Sequence, residues 1–190
     1  MFHPLMKIPT LVLVMVAGLV SAPSGYSAPS GVEDKEAEAE EKIPADEKKF
    51  YSLGDAATKA FKEKKYAEAE KLALELEGLT PRFKDNWNYG NAIQDSNVIL
   101  GRLALRDGKL EKAKGHLLAA GRSPGSPQMD TFGPNMSLAL DLLEKGEKKT
   151  VLEYFELCRK FWKMQDGKLD RWTKEVEAGK IPEFGGNLRY

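Results

Sequence analysis

The residues best placed to do chemistry lie in one stretch of the chain. Asn88, Asn91, Asp95, Arg102 and Arg106 recur at intervals of three, four, seven and four, which gathers them on one face if the stretch is helical. Two guanidinium groups one turn apart can grip a carboxylate through paired N–H···O bonds. The stripe therefore points to a binding site for an acidic segment or a peptide C-terminus. Two other readings fit the same spacing. One is an ordinary solvated helix face of mixed charge. In the other, the amides Asn86, Asn88, Asn91, Gln94 and Asn97 cap and connect an inserted turn to the preceding helices.

Outside that stripe, the groups an enzyme needs do not cluster. Beyond His3 the one histidine is His116, next to Ala113 and Leu117 in helical register, where a flank position explains it better than a general base does. A single usable histidine and the single cysteine, Cys158, give no ligand spacing for zinc. Cys158 cannot form an intramolecular disulfide, and within the run Tyr154-Phe155-Glu156-Leu157-Cys158 it reads as a small buried hydrophobe. Gly121-Arg122-Ser123-Pro124-Gly125-Ser126 lacks the Gly-Lys-Ser/Thr ending that would cradle a nucleotide's phosphates. Asn135-Met136-Ser137 matches a glycosylation sequon but falls in a predicted helix. No catalytic residue, metal or cofactor is assigned, and a non-enzymatic role is expected.

The formal net charge of zero is unevenly distributed. Residues 33–49 carry a net charge of −4 and residues 50–190 a net of +3. The latter lacks the basic footprint of a nucleic-acid binder. Near the start, Lys7 precedes an uncharged apolar run at 8–20 and then Ser21-Ala22-Pro23-Ser24-Gly25. Charge, apolar stretch and small-residue exit are the order of a secretory leader, assigned to 1–28, with an uncleaved N-terminal anchor as the alternative. The expected location is periplasmic or secreted. Residues 29–46, rich in Glu, Ala, Lys and Pro, are expected to form a flexible acidic linker, because they offer too little apolar surface to offset ordering. The domain proper is placed at 47–190.

The elements that position the stripe must then be helices. Apolar residues at helical spacing predict seven, over 48–64, 66–79, 87–106, 110–120, 134–144, 148–164 and 169–178. Pro81, Asp107-Gly108, Gly146 and Asp166-Gly167 supply stops. Turn-forming residues make 121–133 a loop. Residues 181–186 are expected to lie outside helices and to pack Ile181 and Phe184 along the last helices.

Two of the predicted helix starts, Lys65-Tyr66-Ala67-Glu68-Ala69-Glu70 and Lys109-Leu110-Glu111-Lys112-Ala113-Lys114, share a pattern 44 residues apart. Leu100-Gly101, Gly108, Leu110, Ala113, Leu117 and Ala120 form the fullest unit. Ala56-Ala57, Tyr66, Ala69, Ala73 and Pro81 form another, and Leu138-Ala139, Gly146, Val151, Phe155 and Cys158 a third. These units resemble the tetratricopeptide repeat, an antiparallel helix pair of about 34 residues. The chain as a whole is similar to bacterial exported proteins of that class. The resemblance implies an all-α, antiparallel helix-pair solenoid with a C-terminal capping helix. It also implies that Gly101 meets Ala113 where a pair crosses, and that Asp95, Val98, Arg102, Leu105 and Arg106 line a concave groove. Such modules bind a protein or peptide partner, so the expected function is an exported scaffold or adaptor. An enzyme or small-ligand binder using a pocket beside residues 123–132, or a structural component of the cell envelope, are the alternatives.

Overall fold

Short, strongly periodic apolar stripes separated by glycine and proline breaks can bury themselves only by packing helix against helix. In a computed structural model, which describes residues 43–188, the described residues contain eight α-helices and no strand. The leader and most of the linker assigned above lie outside the described residues. Among the described residues no helix is long and apolar enough to cross a membrane.

Helix α1 (Ala45–Lys62) buries Phe50, Leu53, Ala57 and Ala60. Helix α2 (Tyr66–Leu79) faces it with Ala69, Ala73 and Leu76, and a 3-10 turn over Thr80–Phe83 follows. Helix α3 (Tyr89–Arg106) is the axis of the domain. It packs on α1 and α2, on α4 (Leu110–Gly121), on the short α5 (Pro127–Phe132) and on α6 (Ser137–Glu144). Helix α7 (Lys148–Cys158) lies on α4 and α6, and α8 (Lys168–Glu177) lies on α7. Phe155, Trp162, Trp172 and Phe184 build an aromatic core at this end, with Trp172 and Phe184 rings 4.9 Å apart, edge to face. Each such large side chain, fully buried, contributes roughly 1.5–3 kcal/mol over its exposed state.

Three helix-to-helix turns share one geometry. After α1, α3 and α6 a residue enters the left-handed region, Lys64 (φ 61°), Gly108 (φ 72°) and Gly146 (φ 84°). The next amide then reaches back to the helix end: Lys65 N–H to the Ala60 carbonyl (2.9 Å), Lys109 to Ala104 (2.8 Å) and Glu147 to Leu142 (3.0 Å). This bond closes orphan carbonyls at the helix end. Glycine adopts that conformation freely, whereas Lys64 bears a penalty of roughly 1–2 kcal/mol.

The structure departs from expectation at several boundaries. Helix α1 begins at Ala45, inside the stretch expected to be linker, because the Pro44 carbonyl accepts the amides of Glu47 and Lys48 and Asp46 pairs with Arg82 at 2.7 Å. The helix expected over 148–164 stops at Cys158; the following turns bury Phe161 and Trp162, and the Asp130 carboxylate accepts the Lys163 amide at 2.8 Å. The helix expected from 134 begins at Ser137, after Asn135 Oδ1 has accepted the Ser137 amide at 2.8 Å. Inside the expected loop lies α5, capped by Ser126, whose hydroxyl oxygen accepts the Met129 amide at 3.0 Å, with Pro127 in the first turn. Phe184 is buried as expected, but Ile181 is exposed. A Cβ added at Gly101 would meet Leu138 of α6 and His116 of α4 before anything else, so the close contact there is not with Ala113.

Candidate functional site

The first half of α3 forms one wall of a cavity of about 310 Å³. Tyr51, Asp55 and Thr58 of α1 form the facing wall, Gln128 and Phe132 of α5 one side, and Leu76 and Met129 contribute apolar lining. Glycine at position 54 makes room for the site. A Cβ there would stand 2.6 Å from Asp95 Oδ2, so the Asp95 side chain lies directly against the bare backbone of α1 at that point.

Asp95 is part-buried and has no hydrogen bond or ion pair among the described residues. Burial first, and the neighbouring Asp55 carboxylate second, push its carboxyl up to about 7. No lysine, arginine or histidine lines the cavity. A carboxyl enclosed without a counter-charge is costly, and functional sites are where such costs concentrate.

The amides organise the rim. Asn86 Nδ2 donates to Glu47 Oε1 (2.8 Å) and to the Tyr51 hydroxyl oxygen (2.7 Å), while the Tyr51 hydroxyl donates to Glu47 (2.6 Å). Asn86 Oδ1 accepts the Asn88 amide at 2.9 Å. The inserted turn is thereby tied to α1, and Trp87 is held with its ring stacked on Tyr51, centroids 5.6 Å apart. Asn91 Nδ2 donates to Asn88 (2.8 Å) and to Gln128 (3.0 Å), and its Oδ1 accepts from the Ser126 hydroxyl (2.7 Å), fixing α5 against α3. Gln94 binds the Asn135 amide with its oxygen at 2.9 Å, and Asn97 meets His116 Nδ1 at 2.9 Å.

Of the five stripe residues, the structure brings Asn88, Asn91 and Asp95 together around the cavity and sets Arg102 and Arg106 apart. Arg102 Nε donates to Asp141 of α6 at 2.7 Å and its guanidinium lies 4.6 Å from the Phe61 ring. Arg106 pairs with Asp107 at 2.6 Å and lies 4.2 Å from the Tyr66 ring. Both arginines thus have carboxylate partners within the chain. Val98, expected on the groove, is in the core. His116 is part-buried, its ring pushed towards the neutral form first by burial and then by Lys112. The Cys158 thiol is buried, and burial drives its ionisation out of range. No group of three or more His, Cys, Asp or Glu that could hold a metal occurs among the described residues.

Sequence reasoning missed Tyr51, Asp55 and Trp87, and reached Gln128 and Phe132 only as members of the segment 123–132. Trp87 carried a signal: a large aromatic inside the polar run Lys84-Asp85-Asn86-Trp87-Asn88, outside any apolar stripe. Asp55 carried none, since one carboxylate in a charged helix looks like any other. No family model matches the chain, and neither a curated protein nor a solved structure matches it.

Proposed function

We propose that this domain is an exported interaction module, of a kind resembling the tetratricopeptide repeat, that binds a segment of a partner chain at the cavity between α1, α3 and α5. The observation that carries this is the mouth of the cavity. Trp87 and Phe132 both line it and remain 58% and 56% exposed. Large aromatics held at a concave site by a hydrogen-bonded frame are what a partner's anchor side chain docks against. The shared geometry of the three turns supports the repeat resemblance, and the leader-like residues 8–20 support export. The test is recovery of partners from the cell-envelope and secreted fractions, with the parent and with a Trp87→Ser/Phe132→Ser double variant as baits. Both side chains are mostly exposed, so the variant should lose no more than about 0.5–1.5 kcal/mol, the contribution of the Trp87–Tyr51 ring pair. Proteins retained by the parent and lost by the variant support the proposal; identical recovery overturns it.

A second reading has its own observation. Gln128, Met129, Phe132 and Gly133 line the cavity, which places it beside residues 123–132, and about 310 Å³ lies at the small end of ligand pockets. A small molecule retained by the parent in native mass spectrometry, and lost from the double variant, would favour it.

A further inference from the structure

We propose that the cavity receives the cationic end of a lysine or arginine side chain carried by the partner, with Asp95 and Asp55 as counter-charges and the rings of Tyr51, Trp87 and Phe132 around its stem. This deepens the interaction reading above and rests on it. Several independent observations converge on a cation. Two carboxylates line the cavity and no basic side chain does. Other part-buried carboxylates have partners, Asp141 with Arg102 and Glu147 with Lys114, so the lack of one weighs at part-buried Asp95 rather than at exposed Asp55. Asp55 and Asp95 have no ion pair among the described residues. The third feature is the aromatic rim, since Tyr and Trp faces attract cations within about 6 Å of the ring. The protein uses that contact internally, with Arg102 over Phe61 and Arg106 over Tyr66. An acidic ligand, the natural partner of two free arginines, would instead meet repulsion here, and the arginines already hold carboxylates. The small volume suits one side chain better than a whole folded surface.

Burial, and after it the charge of Asp55, sets the protonation of the site. Asp95 is pushed up to about 7 by burial and by Asp55. A cation seated between the two carboxyls would favour the ionised form of both. The other titratable groups lining the cavity are Asp55 and Tyr51, both on α1; α2 and α5 contribute no titratable side chain to it. Affinity for a cation should therefore rise between about pH 6 and about pH 8 as Asp95 ionises.

The experiment uses the full chain and the indole N–H signals of its three tryptophans. Trp162 and Trp172 are 1% and 2% exposed and serve as fold monitors, whereas Trp87 sits at the rim; a Trp87→Phe variant assigns its signal. The probes are capped tripeptides with lysine, norleucine or glutamate between two glycines, together with pentylammonium. The lysine tripeptide should shift the Trp87 signal saturably and leave the other two in place. Norleucine and glutamate versions should bind roughly tenfold or more weakly, as loss of a charge-assisted contact implies. Asp95→Asn should weaken the lysine tripeptide about tenfold with the Trp162 and Trp172 signals unmoved. Equal binding of norleucine and lysine overturns the cation inference and leaves the interaction module standing on an apolar pocket. Tighter binding of the glutamate peptide overturns the inference in sign. Pentylammonium binding much more tightly than the lysine tripeptide overturns the partner-chain source, and with it the interaction reading, in favour of a small amine. Silence of Trp87 towards every probe at about 10 mM, where even weak contacts register, overturns the inference and the site together.

Discussion

The two halves of α3 carry the same kind of polar face and meet opposite fates. In the second half, Arg102 finds Asp141 across from it on α6, and both are about one-quarter exposed. In the first half, Asp95 faces Gly54 and Asp55 on α1 and has no counter-charge. One helix thus presents a satisfied ion pair at one end and an unsatisfied carboxyl at the other. The difference lies entirely in what the neighbouring helices supply. A charge is a structural feature when its partner comes with the fold, and a candidate for binding when the fold withholds one.

The largest expected effect strikes the unsatisfied end. Asp95 holds its proton in the folded chain up to about pH 7, whereas in the unfolded chain an aspartate releases it near about pH 3.9. Between those values the folded state binds more protons, so its stability falls as pH rises through that window and levels off above it. Asp95→Asn removes the dependence. It should match the parent near pH 4 and exceed it by about 2–4 kcal/mol near pH 8, the upper figure being discounted because the residue is only part-buried. Urea unfolding of both proteins across that range checks this. A variant no more stable than the parent at the high end would mean that the carboxyl is solvated, and the contrast between the two halves would vanish.

Next in size are the close contacts that fix each half. A Cβ at Gly90 would collide with the backbone carbonyl of Gly125, while one at Gly101 would collide with the tip of the Leu138 side chain. Backbone has nowhere to go and a leucine has other rotamers. Gly90→Ala should therefore cost about 1–3 kcal/mol. Gly101→Ala should cost less, about 1 kcal/mol, because the gain in helix propensity only partly offsets crowding of the buried Leu138 side chain and the His116 Cβ. Thermal melts of the two variants suffice, and the reverse order would remove the close approach of α5's leading segment to α3.

Smallest are the effects at the satisfied end. A double-mutant cycle on Arg102→Ala and Asp141→Ala should give a coupling of about 1 kcal/mol, since the pair is part-buried and well aligned. Arg106→Ala, whose bridge to Asp107 is more exposed, should stay within about 0.5 kcal/mol. A coupling near zero for Arg102 would return that residue to the pool of free groups and revive it as a ligand for acids.

Most of the helices, and several of their ends, could be read from the chain itself. The stripe Tyr66, Ala69, Ala73, Leu76 repeats at helical spacing, and Pro81 and Gly108 end their helices by local backbone chemistry that needs no tertiary partner. The buried state of Cys158 followed from its apolar neighbours for the same reason. Helix α5 escaped notice because Ser123-Pro124-Gly125-Ser126-Pro127 is turn chemistry up to the very residue that caps it. Helix α7 ended early because the burial of Phe161 and Trp162, a long-range gain, outweighed local helical preference.

The site divides along the same line. Residue type and period placed Asn88, Asn91 and Asp95 on one face with Arg102 and Arg106, because a helix fixes the relative angles of its own side chains. Only the packing of α1, α5 and α6 decided which of those charges would be neutralised. Coulomb and desolvation energies depend on groups that are distant in sequence and adjacent in space, such as Asp141 beside Arg102 and Asp55 beside Asp95. The periodicity of one helix therefore determined where its polar groups point, and the tertiary structure alone determined which of them still needs a partner.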